Sequence, residues 1–213
     1  MTEMKYPPWR QRLARSLHIN RSQMQAKYYQ VASVGSDGRA KNRTMVFRGF
    51  LNATHSLLSV TDCRSDKIPQ WNTASAPYFE ICWYFSGSRE QFRISGDVVL
   101  LSPSLALSVN ESLLGGITKA DILKQQWLNL SPTARQAFFA GTPKAPYDEN
   151  NHAWAGNTPV KVISHDNLST ISEHFCVVLF IPEAVDYLNL KATPQERYLY
   201  SLQENWQETR VNA

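Results

Sequence analysis

The sequence lacks most of the short motifs that assign a function on their own. Its three cysteines are unequally spaced and form no CxxC pair, which predicts free thiols in a reducing cytoplasm rather than a disulfide framework or a zinc site. No two of its five histidines form an HxH or HxxxH pair, so we predict no metal site. GxSxG, GxGxxG and GxxxxGKS/T are absent, so nothing supports a serine hydrolase, a Rossmann fold or a P-loop.

Long hydrophobic runs and blocks of like charge are also missing. No segment approaches the about 18 consecutive apolar residues of a membrane span, and the N-terminal MTEMKYPPWRQR has no apolar signal core. We therefore expect a cytoplasmic protein that has no membrane partner. The net charge of +4 comes from scattered basic residues, which argues against nucleic acid as a partner and suits a small anionic ligand.

Strand patterns dominate what the sequence does contain. A length of 213 residues fits one domain, 1–213, with a sizeable core. Apolar runs at roughly ten-residue spacing, separated by short turns, favour an all-β barrel or sandwich over βαβ units. The predicted strands are 28–34, 43–50, 56–61, 78–85, 91–101, 175–181, 184–190, 198–202 and 206–211.

Helical patterns flank these strands. In the segment 1–25, apolar residues at every fourth position predict a helix over 9–20. The segment 104–140 also has a helical pattern, and Ser131 followed by proline is typical of a helix start. The polar, Pro- and Gly-containing segment 141–172 is predicted to be a long loop that covers a site or reaches a partner subunit.

Basic and hydroxyl side chains converge in the stretch 42–67. Arg43 and Arg48 lie in a predicted strand, and Ser65 and Lys67 follow the end of the next strand, where a short helix over 65–71 is predicted. Cations and hydroxyls in this pattern can form a cradle for a phosphate group. The same pattern is also typical of solvated strand residues and an ordinary turn, and the stretch alone does not decide between these readings.

Four segments in register resemble a known family. RTMVFR (43–48), VTDCRSDK (60–67), REQFRISG (89–96) and PEAVDYLNL…ERYLY…W (182–206) are similar to the FMN-binding split-barrel family typified by pyridoxamine 5′-phosphate oxidase. The resemblance covers roughly 28–212. It implies a mainly β fold with flanking helices, a six- to eight-stranded antiparallel split barrel. It also implies a homodimer that binds FMN at the subunit interface.

The resemblance assigns cofactor contacts residue by residue. It implies that Lys67 and two hydroxyls bind the FMN phosphate, and that the strand beginning at Arg43 faces the flavin. It further implies that Gln91 bonds the flavin ring from across the dimer interface and that Arg197 tunes the redox chemistry of the ring. The implied cofactor-binding residues are Arg43, Thr44, Met45, Val46, Arg48, Val60, Thr61, Ser65, Lys67, Gln91, Ser131 and Arg197.

The sequence also departs from the family pattern. Asp66 stands where the oxidase has an arginine of its phosphate clamp, so one positive charge is reversed. The sequence leaves open whether Arg64 or Arg43 compensates for this change. The substrate-phosphate clamp of the oxidase has no counterpart in 104–123. Thr193 and Gln195 stand where the oxidase has a substrate-contacting arginine and histidine.

These departures leave three functions in competition. The first is an FMN-dependent oxidoreductase that transfers a hydride between the flavin and an unidentified small molecule. The second is an FMN-binding protein without turnover, for flavin storage, sensing or partner binding. The third is a true pyridoxamine 5′-phosphate oxidase. The catalytic residues stay unassigned in all three.

Overall fold

The strands of this protein form a single antiparallel sheet. The structure, a computed structural model, describes residues 6–72, 78–105, 109–146 and 170–213. Most of the predicted loop 141–172 lies outside the described residues. Within them the chain forms nine strands: β1 (Tyr28–Val34), β2 (Ala40–Val46), β3 (Gly49–Phe50), β4 (Leu57–Asp62), β5 (Tyr78–Phe85), β6 (Glu90–Leu101), β7 (Phe175–Asn189), β8 (Glu196–Ser201) and β9 (Thr209–Val211).

Seven strands form the main path of the sheet, in the order β2-β1-β5-β6-β7-β4-β3. The strand β8 pairs with the second half of β7, and β9 pairs with β8. The longest strand, β7, pairs with β4 through its first half and with β8 through its second half. It therefore connects two regions that lie far apart along the sheet.

The sheet curls until its two ends meet. The backbone N–H of Arg48 donates to the carbonyl oxygen of Leu58 at 2.8 Å. The Ser59 hydroxyl donates to the carbonyl oxygen of Val46 at 2.6 Å. These bonds join the end of β2 to β4 and close the barrel.

A β-bulge bends the central strands. The register between β6 and β7 shifts between Ser95 and Gly96, opposite Pro182. Gly96 has a φ of +156°, and a Cβ there would collide with the carbonyl oxygen of Ile181. The sequence predicted two strands, 175–181 and 184–190; this is wrong, because the bulge accommodates the proline and β7 continues through it.

The prediction of one strand over 43–50 is also wrong. The chain forms β2 and the two-residue β3, with an interruption at Phe47 and Arg48. At this interruption the backbone leaves its pairing with β1 and bonds to β4, so tertiary hydrogen bonding ends the strand. The last predicted pair is observed with shifted bounds, as β8 and β9.

Two hydrophobic clusters cover the two faces of the barrel wall. Large aromatic side chains fill the interior, among them Tyr29, Phe79, Trp83, Phe92 and Phe180, all 1% exposed or less. Helices α3 (Lys119–Leu128) and α4 (Pro132–Gln136) pack outside β4 and β7 and form the second cluster. Its members include the residues predicted to share a helical face, Leu123, Trp127 and Leu130.

The N-terminal helix packs against the core of the barrel through Trp9 and Leu13. It is observed as α1 (Pro8–Ile19), which confirms the prediction of a helix over 9–20. Trp9 is fully buried, with its ring 5.7 Å from the ring of Trp206. The predicted short helix over 65–71 is observed as α2 (Lys67–Asn72), with Pro69 in its first turn. In the ranges that the structure describes, no helix is both long and apolar enough to cross a membrane.

Candidate functional site

Arg43 lies on β2, where this strand contacts α2. Its guanidinium donates to the Ser33 hydroxyl at 2.7 Å and to the side-chain oxygen of Gln70 at 2.5 Å. It also lies 5.5 Å from the ring centre of Trp71. Among the described residues, no carboxylate bonds to Arg43, so its hydrogen bonds position the group while its charge stays uncompensated.

Lys67, the first residue of α2, forms the second cationic group. Its Nζ donates to Thr61 Oγ1 at 3.0 Å and to Ser65 Oγ at 2.9 Å. Burial, and after it the positive charge of Arg43, lowers the pKa of Lys67 below its usual value. Both cations line the same cavity. Two adjacent cations whose hydrogen-bond partners are neutral favour binding of an anion.

A cavity of about 560 Å³ lies beside these groups. It is bounded by β2, by the turn between β4 and α2, and by residues 143 and 144 from the segment after α4. We call it the cationic pocket. Its lining residues are Ala40, Lys41, Asn42, Arg43, Ser65, Asp66, Lys67, Gln70, Pro143 and Lys144.

Asp66 faces this pocket and is paired with Lys144. The Asp66 carboxylate accepts a hydrogen bond from the Lys144 ammonium, which lowers the pKa of Asp66. The two candidates raised from the sequence are engaged elsewhere: Arg64 binds both carboxylate oxygens of Asp62, and Arg43 has neutral partners. The compensating cation is therefore Lys144. It lies 78 positions along the chain, and no sequence pattern pointed to it.

The other predicted residues of β2 and β4 alternate between two faces, as strand geometry requires. Met45 is 5% exposed and points into the barrel, whereas Thr44 is exposed. Val46 is half-buried, and its carbonyl oxygen is engaged by Ser59. On β4, Val60 packs against the helical cluster outside the barrel, so its side chain faces away from Lys67.

Two further predicted residues lie outside the cationic pocket. Arg48 is exposed beyond the end of β2. Ser131 is exposed and caps α4, because its hydroxyl accepts from the backbone N–H of Ala134 at 3.2 Å. The prediction of a helix starting after Ser131 is confirmed, and neither residue is among those that line the pocket.

Gln91 and Arg197 lie at the opposite end of β7 from the cationic pocket. Both are in register with Leu188, whereas Thr61 is in register with Cys176. The path along β7 from position 176 to position 188 is about 40 Å at ~3.3 Å per residue. Within one chain, the structure therefore does not bring the predicted phosphate and ring contacts together.

Gln91 and Arg197 lie on the outer surface of β5, β6, β7 and β8. We call this surface the outer sheet face. Charged side chains form a network on it. Arg197 bonds both carboxylate oxygens of Asp186, at 2.9 and 2.6 Å. Arg93 bonds Glu80 through two nitrogens and lies 3.9 Å from Asp186. The arginines of this face are thus already paired with carboxylates.

Comparison with known proteins identifies the family. Residues 6–102 match the family model described as "Pyridoxamine 5'-phosphate oxidase, FMN-binding domain". The chain is 32% identical over 210 residues to "Pyridoxine/pyridoxamine 5'-phosphate oxidase 2" of Arabidopsis thaliana, and the alignment covers 96% of each protein. The chain belongs to the pyridoxamine 5′-phosphate oxidase family of FMN-binding proteins. Its cofactor is FMN.

Solved structures agree with this assignment. A pyridoxamine 5′-phosphate oxidase-related, FMN-binding protein from Nostoc punctiforme PCC 73102 matches with a TM-score of 0.81 and 36% identity, over 99% of this chain and 100% of that one. PhzG from Burkholderia lata 383 matches with a TM-score of 0.67 and 16% identity, over 95% and 90% of the chains, and shows a common fold. The predicted mainly β split barrel is confirmed.

The donor set of the cationic pocket fits the phosphate group of FMN. A phosphate monoester carries nearly two negative charges at neutral pH and several strong acceptor oxygens. Arg43 and Lys67 supply charge without a bonded carboxylate, and the Ser65 and Thr61 hydroxyls already converge on Lys67 Nζ. The cationic pocket of this chain is therefore a suitable site for the phosphate end of FMN.

Proposed function

We propose that this protein is an FMN-dependent oxidoreductase that acts on a small molecule. In this proposal Arg43, Lys67, Ser65 and Thr61 hold the phosphate of FMN in the cationic pocket. The observation that carries the proposal is the pair of adjacent cations whose hydrogen-bond partners are neutral. When bound, FMN supplies a two-electron acceptor for a hydride from the substrate.

The remaining predicted contacts would complete the site from a second copy of the chain. Gln91 and Arg197 are separated from the cationic pocket by the length of β7, so we propose a homodimer in which they face the FMN held by the other subunit. The outer sheet face has the exposed apolar surface that such an interface needs. Its members Tyr84 and Leu199 are 46% and 40% exposed.

Within this arrangement the chain's own residues bind and orient the cofactor. Arg43 and Lys67 neutralise the phosphate, and the backbone of β2 holds Arg43 at the pocket. Arg197 would place a positive charge beside the flavin ring, and Asp186 fixes the plane of that guanidinium through two hydrogen bonds.

Oxidation of pyridoxine or pyridoxamine 5′-phosphate is the second candidate function. It is favoured by the Arabidopsis relative, which carries that name. Against it, Thr193 and Gln195 are exposed neutral residues where the resemblance implies an arginine and a histidine. A substrate would lose the charge-assisted hydrogen bonds of those two groups, each stabilising binding by about 1.5–3 kcal/mol. We therefore propose a small-molecule substrate and do not assign it to pyridoxine or pyridoxamine 5′-phosphate.

Two assays test the proposal in sequence. The purified protein, or the protein after addition of FMN, should show the yellow absorption of a bound flavin. A colourless protein that takes up no added FMN would contradict the proposal. Aerobic incubation of the FMN-loaded protein with pyridoxamine 5′-phosphate, assayed for pyridoxal 5′-phosphate, then decides the second candidate. Product forms only if that candidate is right.

Complementation between variants tests the two-chain site. In the proposed dimer, a subunit with Lys67→Met and a subunit with Arg197→Ala together form one intact site and one doubly altered site. Co-expression of the two chains should therefore restore wild-type FMN affinity and reduction potential in up to half of the sites of the mixed dimer. If both groups acted from the same chain, no site of the mixture would be intact and nothing would be restored.

A further inference from the structure

Lys144 lines the cationic pocket although it comes from a distant part of the chain. Its ammonium bonds Asp66, which stands beside Lys67 in the turn after β4. We propose that Lys144 is a third cationic ligand of the FMN phosphate and that Asp66 holds it over the pocket until the phosphate binds. This inference rests on the proposed phosphate site.

The charges around the pocket support this role. Of its four basic lining residues, Lys41 is paired with Asp37 at 2.7 Å. Arg43 and Lys67 have neutral hydrogen-bond partners. Asp66 is the one acidic residue among those that line the pocket, and it would repel a phosphate if it were left alone. Lys144 is the cation placed to offset it.

The backbone before Lys144 is tied to the same turn. Arg64 donates to the carbonyl oxygen of Ala140 at 3.0 Å while it binds Asp62, the last residue of β4. A turn closed by the N–H of Ala145 and the carbonyl oxygen of Thr142 then presents Lys144. These bonds fix where the lysine enters the pocket, so its placement does not depend on the Asp66 pair alone.

The left-handed conformation of Lys144 is a further sign of a specific role. Its φ is +64°, a region that favours glycine because a Cβ atom there crowds the backbone. In the proposed site the strain is offset by the interactions of the Lys144 side chain with Asp66 and with the phosphate.

Two roles for Lys144 must be separated. It could merely neutralise Asp66, or it could contact the phosphate directly. A double-mutant cycle distinguishes them, because direct contact persists when the carboxylate is removed. The variants are Lys144→Gln, Asp66→Asn and the combination of both. Lys191→Gln is a matched control, since it removes one positive charge from an exposed lysine outside the pocket.

The measurement is the dissociation constant of FMN, followed by flavin fluorescence, with riboflavin as the probe that lacks the phosphate. We expect Lys144→Gln to weaken FMN binding about tenfold, the effect of one charge-assisted hydrogen bond, and to leave riboflavin binding unchanged. The double variant should bind FMN severalfold more weakly than Asp66→Asn alone, and Lys191→Gln should have little effect.

The outcomes separate this inference from the proposed function. If Lys144→Gln binds FMN as the wild type does, or if the double variant equals Asp66→Asn, then Lys144 is not a phosphate ligand and the inference is overturned, while the FMN site stands. If the wild type shows no preference for FMN over riboflavin, the proposed phosphate site itself fails. Lys144 is exposed, and a thermal melt of each variant verifies that the fold is intact.

Discussion

The cationic pocket and the outer sheet face both contain arginine side chains, but these have different kinds of partner. In the pocket, Arg43 bonds a hydroxyl and an amide oxygen, and Lys67 bonds two hydroxyls. On the outer sheet face, Arg197 forms a two-pronged ion pair with Asp186. A cation held by neutral groups keeps its charge for a ligand, whereas a cation held by a carboxylate has much of its charge already balanced.

This difference suggests a division of labour along β7. The pocket provides affinity for the anionic end of FMN, while the outer sheet face provides a moderated positive charge for the ring in the partner subunit. Substitutions at the two ends should therefore change different properties of the bound flavin. The following experiments test that separation, starting with the largest expected effect.

Removing Lys67 should produce the largest change in affinity. We expect Lys67→Met to weaken FMN binding by about 2–3 kcal/mol, roughly 30- to 150-fold, because a charge-assisted bond to the phosphate is lost. Riboflavin binding should not change. Titration by flavin fluorescence measures both constants, and Lys191→Met, at an exposed site, is the control. An equal loss for FMN and riboflavin would show that Lys67 does not act on the phosphate.

Removing Arg197 should act mainly on the redox properties. Arg197→Ala should lower the reduction potential of the bound FMN by about 30 mV, which corresponds to ~1.4 kcal/mol for two electrons, because a positive charge beside the reduced ring is lost. The Arg197→Ala variant should lose much less FMN affinity than the Lys67→Met variant does. A dye-equilibration titration measures the potential, with Arg39→Ala as the control. The assigned roles fail if the two substitutions weaken binding equally.

Changing the partner of Arg197 should shift the potential in the opposite direction. In Asp186→Asn the guanidinium keeps a hydrogen-bond partner but loses the balancing negative charge. We expect the reduction potential to rise by about 10–20 mV, a fraction of the full charge effect. Asp97→Asn, an exposed position on β6, provides the matched change of charge. A potential that falls, or that moves equally in both variants, would contradict the proposed role of Asp186.

The smallest expected effect is a dependence of FMN affinity on pH. The lowered pKa of Lys67 means that its ammonium loses its proton at a lower pH than an exposed lysine does. Because the protonated form binds the phosphate, FMN affinity should fall as the pH rises into the alkaline range, and the fall should begin before an exposed lysine titrates. Lys67→Arg keeps its charge at these pH values and should be insensitive. An identical pH profile in both proteins would rule out titration of Lys67 as the cause.

Much of the fold could be predicted from local sequence patterns. The strands 28–34 and 78–85 agree with β1 and β5, because alternating or continuous apolar residues end there at turn residues. The errors lie where tertiary bonding decides. A hydrogen bond from Arg48 to β4 ends β2 early, and the bulge at Gly96 carries β7 through Pro182.

The candidate site could be predicted in part. The convergence of Arg43, Ser65 and Lys67 followed from family motifs that lie close together in the sequence. Two partners did not follow: Lys144, on a turn that has no recognisable pattern, and Asp186, which pairs with Arg197 only through the register of β7 and β8. Both depend on which distant segments the fold brings together, and local sequence patterns do not indicate that.

The central claim is that the cationic pocket of one chain holds the phosphate of FMN while the outer sheet face of another chain meets its ring. A crystal structure of the FMN complex tests it most directly. We expect the phosphate within hydrogen-bond distance of Lys67 Nζ and the Arg43 guanidinium, and the ring beside Gln91 and Arg197 of the partner subunit. A phosphate bound away from Lys67, or a ring contacted by Arg197 of the same chain, would contradict the account.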